Sequence, residues 1–161
     1  MNDTKPRLHK NLPPYLKQGY ICSDPQCIVP VRIEGKSTCL IIKGKVEGIV
    51  RSEWEYSIPV EDAEVMLVQL CEKPLIEKYR YHIARYGVQW EVDEFLGENA
   101  GLTVVEVELE SVEQSFVKPE WLGREVSEDH RYANASLLKH PFRAGRQPEN
   151  KAGKSGRWET Q

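Results

Sequence analysis

Between Thr103 and Glu110 the sequence reads Thr-Val-Val-Glu-Val-Glu-Leu-Glu, and this stretch restricts the fold more than any other. A strand sends alternate side chains to opposite faces, so Val105, Val107 and Leu109 share one face while Glu106, Glu108 and Glu110 share the other. One face is apolar and the other is a row of carboxylates. On a lone strand this means only a wet surface. The design recurs, however, with both signs of charge. Arg51, Glu53 and Glu55 alternate along one stretch, Lys78 and Arg80 along another, and Asp93 lies within Trp90-Glu91-Val92-Asp93-Glu94-Phe95. Acids and bases on matching faces of several strands imply a charged interior.

The remaining pattern supplies the strands that such an interior needs. Lys17–Cys22 and Cys27–Ile33 flank an Asp-Pro turn, and Thr38–Lys43 follows the Gly-containing link Glu34-Gly35-Lys36. Ile49–Ser57 is a fourth strand. Leu75–Arg85 and Val88–Phe95 form a hairpin across Tyr86-Gly87, and the Thr103 stretch is the seventh strand. Val60–Cys71 reads as a helix, because Val60, Ala63, Met66, Leu67 and Leu70 fall on one face and Glu61, Asp62 and Glu64 favour its N-terminal turn. Ser111–Trp121 reads as a short helical passage broken by Pro119, and Asn134–Lys139 as a last helical turn or two. Hairpin links make the strands antiparallel.

Residues 1–16 are basic and polar with no periodicity, which predicts a flexible N-terminal segment. Residues 17–140 form the folded domain. Residues 141–161, rich in Gly, Pro, Lys and Arg, are expected to be a disordered basic tail. The net charge of −3 gives no general reason to expect nucleic acid or an anionic membrane as partner. No apolar run approaches a membrane span or a signal peptide, so a cytoplasmic location is expected. Cys22, Cys27, Cys39 and Cys71 are too irregularly spaced for a disulfide framework, and Cys22 and Cys27 lack a second ligand pair for zinc.

Taken together, several segments resemble the CYTH domains, the triphosphate tunnel metalloenzymes. They are Gln18-Gly19-Tyr20, Val31-Arg32-Ile33, Leu40-Ile-Ile-Lys43-Gly44, Arg51-Ser-Glu53-Trp-Glu55, Ile76-Glu-Lys78-Tyr-Arg80-Tyr81, Trp90-Glu-Val-Asp93, Val105-Glu106-Val-Glu108 and Glu128-Asp129-His-Arg131-Tyr132. The resemblance implies a mainly β, α+β fold: an antiparallel tunnel-like barrel of about eight strands, seven of them visible here, with a few flanking helices. It also implies metal-dependent hydrolysis of inorganic triphosphate or a related organic triphosphate, with Mg²⁺ or Mn²⁺ as cofactor. Arg and Lys suit phosphate oxygens, and carboxylates suit a hard cation that neutralises developing charge.

Residue by residue, the resemblance makes Asp93, Glu106 and Glu108 metal ligands, with Glu53 and Glu55 as further acidic positions. Arg32, Lys43 and Arg80 become phosphate clamps, with Lys78 and Arg51 as additional cations. Tyr20 matches a tyrosine proposed as proton acceptor in bacterial members, or else packs as a strand-end aromatic. His82 shares the Lys78 and Arg80 face. Trp54, Tyr56, Trp90 and Trp121 read as core or barrel-exterior packing. The family's opening Glu-x-Glu-x-Lys has no counterpart before Gln18, and Pro30 stands where members usually carry a second Arg. Two alternatives follow: a shortened triphosphatase with impaired activity, or a non-catalytic polyphosphate- or nucleotide-binding module. An unpaired strand edge leaves room for a homodimer.

Overall fold

The computed structural model describes residues 14–48, 50–111, 113–126, 130–142 and 157–160; at Glu108, His130 and 157–160 it describes the backbone alone. The chain divides into two compact units, Tyr15–Glu77 and one built from Lys78 onward.

In the first unit, β1 (Tyr15–Asp24), β2 (Cys27–Glu34), β3 (Ser37–Glu47) and β4 (Val50–Ser57) form an antiparallel meander in the order β4-β3-β2-β1. Local chemistry sets the turns. The Asp24 carboxylate accepts a hydrogen bond from the Gln26 N–H at 2.8 Å, and Gly35 takes the left-handed conformation, φ 57°, that opens the next turn. The register then sorts the faces. Gln18 lies opposite Arg32, Arg32 opposite Cys39, Ile41 opposite Glu55 and Lys43 opposite Glu53, so these residues share one face. On the other face Val31 packs with Ala63, Leu67 and Cys71, and with the partly buried Ile33, Leu40 and Met66.

Ala63 and Leu67 belong to α1 (Val60–Gln69), which starts after Pro59 with Glu61 and Asp62 in its first turn, where carboxylates favour the helix dipole. It ends two residues short of the Val60–Cys71 expectation. Lys73 Nζ donates to the Leu67 carbonyl there, satisfying one of the acceptors that every helix end leaves over. Nearly all of β4 is exposed; Trp54 at 51% and Tyr56 at 53% lie outside the core, on the strand face opposite Glu53 and Glu55, which leaves the exterior alternative for both.

In the second unit the strand order is β5-β6-β7-β9-β8, all neighbours antiparallel. The strands are β5 (Ile76–Arg85, which begins in the first unit), β6 (Val88–Phe95), β7 (Thr103–Glu108), β8 (Leu122–Glu125) and β9 (Arg157–Thr160). Tyr86 and Gly87 both have positive φ, 54° and 74°, the pairing that a two-residue turn needs to match strand twist. The apolar face holds Val88, Trp90, Val92, Val105, Val107 and Trp121. Trp90 meets the rings of Phe116 and Trp121 edge-on, with centroids 5.7 and 6.1 Å away.

That ring cluster explains one correction. Ser111–Trp121 is not helical among its described residues; it runs irregularly, and Phe116 and Trp121 both reach Trp90. A second correction concerns the tail. Arg157–Thr160 pairs with both β7 and β8, whereas composition had assigned it to a disordered segment. All seven expected strands occur, and β8 and β9 are additional; their few residues carry no readable alternation. The expected helix at Asn134–Lys139 is present as α2. Tyr15 and Leu16 belong to β1, with Leu16 buried, rather than to the N-terminal segment, whose residues 1–13 lie outside the described set. No helix among the described residues is long and apolar enough to cross a membrane.

Gly19 gives a stringent packing test. A Cβ there would meet Cys71 Cβ and Sγ and Leu75 Cδ2 at 2.8 Å, whereas at Gly44 the nearest atom is Ser52 Cβ at 3.5 Å. Gly19→Ala is expected to cost about 1–3 kcal/mol of stability through overpacking. Gly44→Ala should be close to neutral, and equilibrium denaturation of the two variants checks the contrast.

Candidate active site

The charged face of the second unit follows from the register of β5, β6 and β7. Arg80 is opposite Asp93, His82 opposite Glu91, and Glu91 in turn opposite Glu106. At the centre lies Asp93, which receives two cations. Lys78 Nζ is 2.5 Å from Asp93 Oδ2, with both side chains 1% exposed. Arg80 donates from Nε to Oδ1 at 2.7 Å and from Nη2 to Oδ2 at 2.8 Å, a fork matched to the carboxylate plane. Its Nη1 lies 2.9 Å from Glu91 Oε2. These bonds use three of the five N–H donors of a guanidinium.

Burial alone would raise the Asp93 carboxyl, but Lys78 and Arg80 outweigh it and hold the pKa at about 2. Burial likewise opposes the Arg80 charge, and its bonds to Asp93 with the charges of Asp93, Glu91 and Glu106 more than restore it. Glu91 moves upward: burial is the largest cause, Arg80 counters it, and the negative charges of Asp93 and Glu106 add to it. Lys78 also sits over the Phe95 ring, 5.0 Å from its centroid, and 3.5 Å from Asn134 Oδ1.

The charged face of the first unit is a different arrangement. Arg32 donates from Nε to Gln18 Oε1 at 3.1 Å, and Gln18 Nε2 donates to the buried Tyr20 hydroxyl oxygen at 2.7 Å. Lys43 lies 3.9 Å from Glu53, at the limit of an ion pair and with both side chains partly exposed. Glu55 is hydrogen-bonded to Cys39, whose thiol is pushed up to about 11 chiefly by burial. Arg51 donates from Nε to the Gly44 carbonyl at 2.8 Å, so the end of the β3–β4 hairpin holds it through backbone.

Of the residues singled out in the sequence, Lys78, Arg80, Asp93 and Glu106 are gathered on one face, and Arg32, Tyr20, Lys43, Glu53 and Glu55 on another. Glu108 is in β7, two residues from Glu106, and its side chain lies outside the described set. Lys78 is fully enclosed, where it serves Asp93 rather than solvent. Sequence reading missed Glu91. Its two-residue spacing from Asp93 was visible, but its place opposite His82 and Glu106 depends on register.

Among the described residues no three His, Cys, Asp or Glu side chains are grouped as a ready metal site. Asp93 has both oxygens engaged by cations. Glu91 and Glu106 are opposite each other on adjacent strands, and a hard cation of the Mg²⁺ type, commonly held by one or two carboxylates together with substrate phosphates, fits there by sharing Glu91 with Arg80 at 2.9 Å and His82 at 3.6 Å. Burial is the chief cause of the upward shift of Glu91, and the negative charges of Asp93 and Glu106 add to it.

A face of forked arginine, buried lysine and opposed carboxylates on an antiparallel sheet agrees with the family match. The chain belongs to the CYTH domain family, whose profile covers residues 28–140. It is 50% identical over 127 residues to the inorganic triphosphatase of Acetivibrio thermocellus, covering 79% of this chain and 81% of that protein. It is 37% identical over 126 residues to the inorganic triphosphatase of Nitrosomonas europaea, covering 76% and 82%. The solved structure of the inorganic triphosphatase NE1496 superposes with a TM-score of 0.60 at 32% identity, over 78% of this chain and 84% of the other.

The ion cluster makes stability depend on acid. Because the folded pKa of Asp93, about 2, is below its ordinary 3.8, the stabilisation is complete above the unfolded value and is lost as pH falls through the folded one. Stability of the native chain is therefore expected to decline between roughly pH 4 and pH 2, and Asp93→Asn should lack that component. Asp93→Asn should also cost about 3–5 kcal/mol at neutral pH, because it leaves Lys78 buried without its counter-charge. Urea denaturation across pH checks both.

Proposed function

We propose that this chain hydrolyses inorganic triphosphate with the help of a divalent cation, Mg²⁺ or Mn²⁺. The observation that carries the proposal is Arg80, locked between Asp93 and Glu91 and next in register to the opposed pair Glu91 and Glu106. The half-identical relative named an inorganic triphosphatase supplies the substrate class.

Triphosphate carries several negative charges, so its recognition needs fixed cations rather than a shape-fitted apolar pocket. Arg80 has its plane set by two carboxylates, and we assign its remaining N–H donors to phosphate oxygens. Pre-orientation of this kind avoids reorganisation when charge develops in the transition state. Lys78 acts one step back by neutralising Asp93 from below. Arg32 and Lys43 are the phosphate-binding cations we assign in the first unit, with Arg51 as a lesser contributor because a backbone carbonyl already holds it.

Glu91 and Glu106 are the side chains we assign to the cation, and Glu108, two residues after Glu106 in the sequence, is a further acidic candidate by the family resemblance alone; when bound, the ion would neutralise phosphate charge and activate water. Glu53 and Glu55 lie on exposed β4 with Lys43 and Cys39 as their partners, which suits them to tuning charge rather than to ligation. In the reaction, a water oxygen bonds to the terminal phosphorus, the phosphoanhydride P–O bond breaks, and pyrophosphate departs with orthophosphate as the other product. The proton of that water passes to solvent, and in the first unit Tyr20, a phenol that keeps its own proton, is assigned as a hydrogen-bond donor to phosphate rather than as a base.

Purified protein supplied with tripolyphosphate and Mg²⁺ or Mn²⁺ should release orthophosphate, and chelation should stop it. Arg80→Ala should lower kcat/KM about 100-fold, the scale of losing one fixed electrostatic donor. Glu106→Gln should raise the cation concentration required. If tripolyphosphate binds without turnover under every cation, the non-catalytic binding module is the correct reading.

A further inference from the structure

We propose that Gln18 is a positioning residue that sets the orientation of both Arg32 and Tyr20, an inference that rests on the proposed function for the roles of those two groups. Gln18 lies on β1, 3% exposed, directly opposite Arg32 on β2 and two residues before Tyr20, itself 4% exposed. The direction of its amide is fixed by chemistry. A guanidinium has no acceptor, so the group 3.1 Å from Arg32 Nε has to be the amide oxygen. The amide nitrogen then faces Tyr20, and across that 2.7 Å contact the phenol oxygen is the acceptor.

Two consequences follow. Arg32 is held by its Nε edge, which leaves its terminal Nη1 and Nη2 groups on the far side of the guanidinium, the edge able to make paired contacts with a phosphate. The Tyr20 hydroxyl accepts from Gln18, so its own proton is aimed away from Gln18. One neutral amide thus supplies an acceptor to a cation and a donor to a phenol, which neither a carboxylate nor an apolar side chain can do. Because the group is buried, water is a poor substitute for either bond.

The decisive variants are Gln18→Glu and Gln18→Met, both close to glutamine in length. The carboxylate of Q18E still accepts from Arg32 but offers nothing to Tyr20, whose hydroxyl is then expected to turn and donate. The tyrosine Raman doublet distinguishes accepting from donating phenols, and subtracting the spectrum of Y20F in each background isolates Tyr20. This readout requires no turnover. The predicted result is an accepting Tyr20 in the native chain and a donating one in Q18E, with thermal unfolding confirming that the variant folds.

Kinetics and calorimetry with tripolyphosphate supply the second arm. In Q18M, KM should rise roughly tenfold or more, the scale of losing a hydrogen bond to a charged group, with Q18E similarly weakened because Arg32 is neutralised. An unchanged doublet in Q18E overturns the proposal. So does a Q18M variant that loses stability yet binds tripolyphosphate as the native chain does, since that is a structural role alone. Absence of hydrolysis by the native chain counts against the proposed function only, because the Raman result still decides the Gln18 geometry.

Discussion

One buried aspartate shared by a lysine and an arginine is the interaction on which the charged face of the second unit depends. Asp93 takes Lys78 at 2.5 Å and Arg80 through two bonds of 2.7 and 2.8 Å. Charges taken out of water are expensive, and pairing repays the cost only where geometry is good and remaining donors are satisfied. An apolar trio of similar volume would serve stability as well. The cluster makes better sense as a device that keeps Arg80 charged and oriented, with Glu91 holding its other edge. Three carboxylates, Glu91, Asp93 and Glu106, stand on the same face as the two cations, and Glu91 is shifted upward by its burial first and by its two acidic neighbours second.

Everything polar on these faces relies on what lies behind it. In the second unit Trp90, wedged against Phe116 and Trp121, anchors β6 from the apolar side and so fixes the strand that carries both Glu91 and Asp93. In the first unit α1 performs the same task through Ala63 and Leu67 packed near Val31, with Arg32 next in β2 facing the other way. Alternation makes the two jobs inseparable, because a one-residue slip in register would send Arg32 to the helix and Val31 to the charged face.

The strands and their faces were legible from the sequence because period-two alternation is strong in β5, β6 and β7, and the turns carry clear signals at Asp24, Gly35 and Tyr86-Gly87. So was the grouping of Lys78, Arg80, Asp93 and Glu106. Three matters were not. β8 and β9 are too short to show a period, and β9 lies in a stretch whose composition suggests disorder. The path of Ser111–Trp121 is decided by rings meeting Trp90, a tertiary contact that local propensity does not contain. The roles of Glu91 and Lys78 depend on burial and register: sequence shows a lysine two residues from an arginine, but not which of them is enclosed. Trp54 and Tyr56 show the converse case, aromatic residues on a strand that stay exposed on β4.

If the forked arginine face receives a chain of phosphates, as proposed, affinity has to follow the length of that chain. Calorimetric titration of the native protein with tripolyphosphate, pyrophosphate and orthophosphate, at fixed cation concentration and ionic strength, tests it most directly. Affinity is expected to fall in that order, with most of the advantage of tripolyphosphate disappearing when Arg80 is replaced by alanine. Equal affinity for the three anions, or an order untouched by the loss of Arg80, would contradict it.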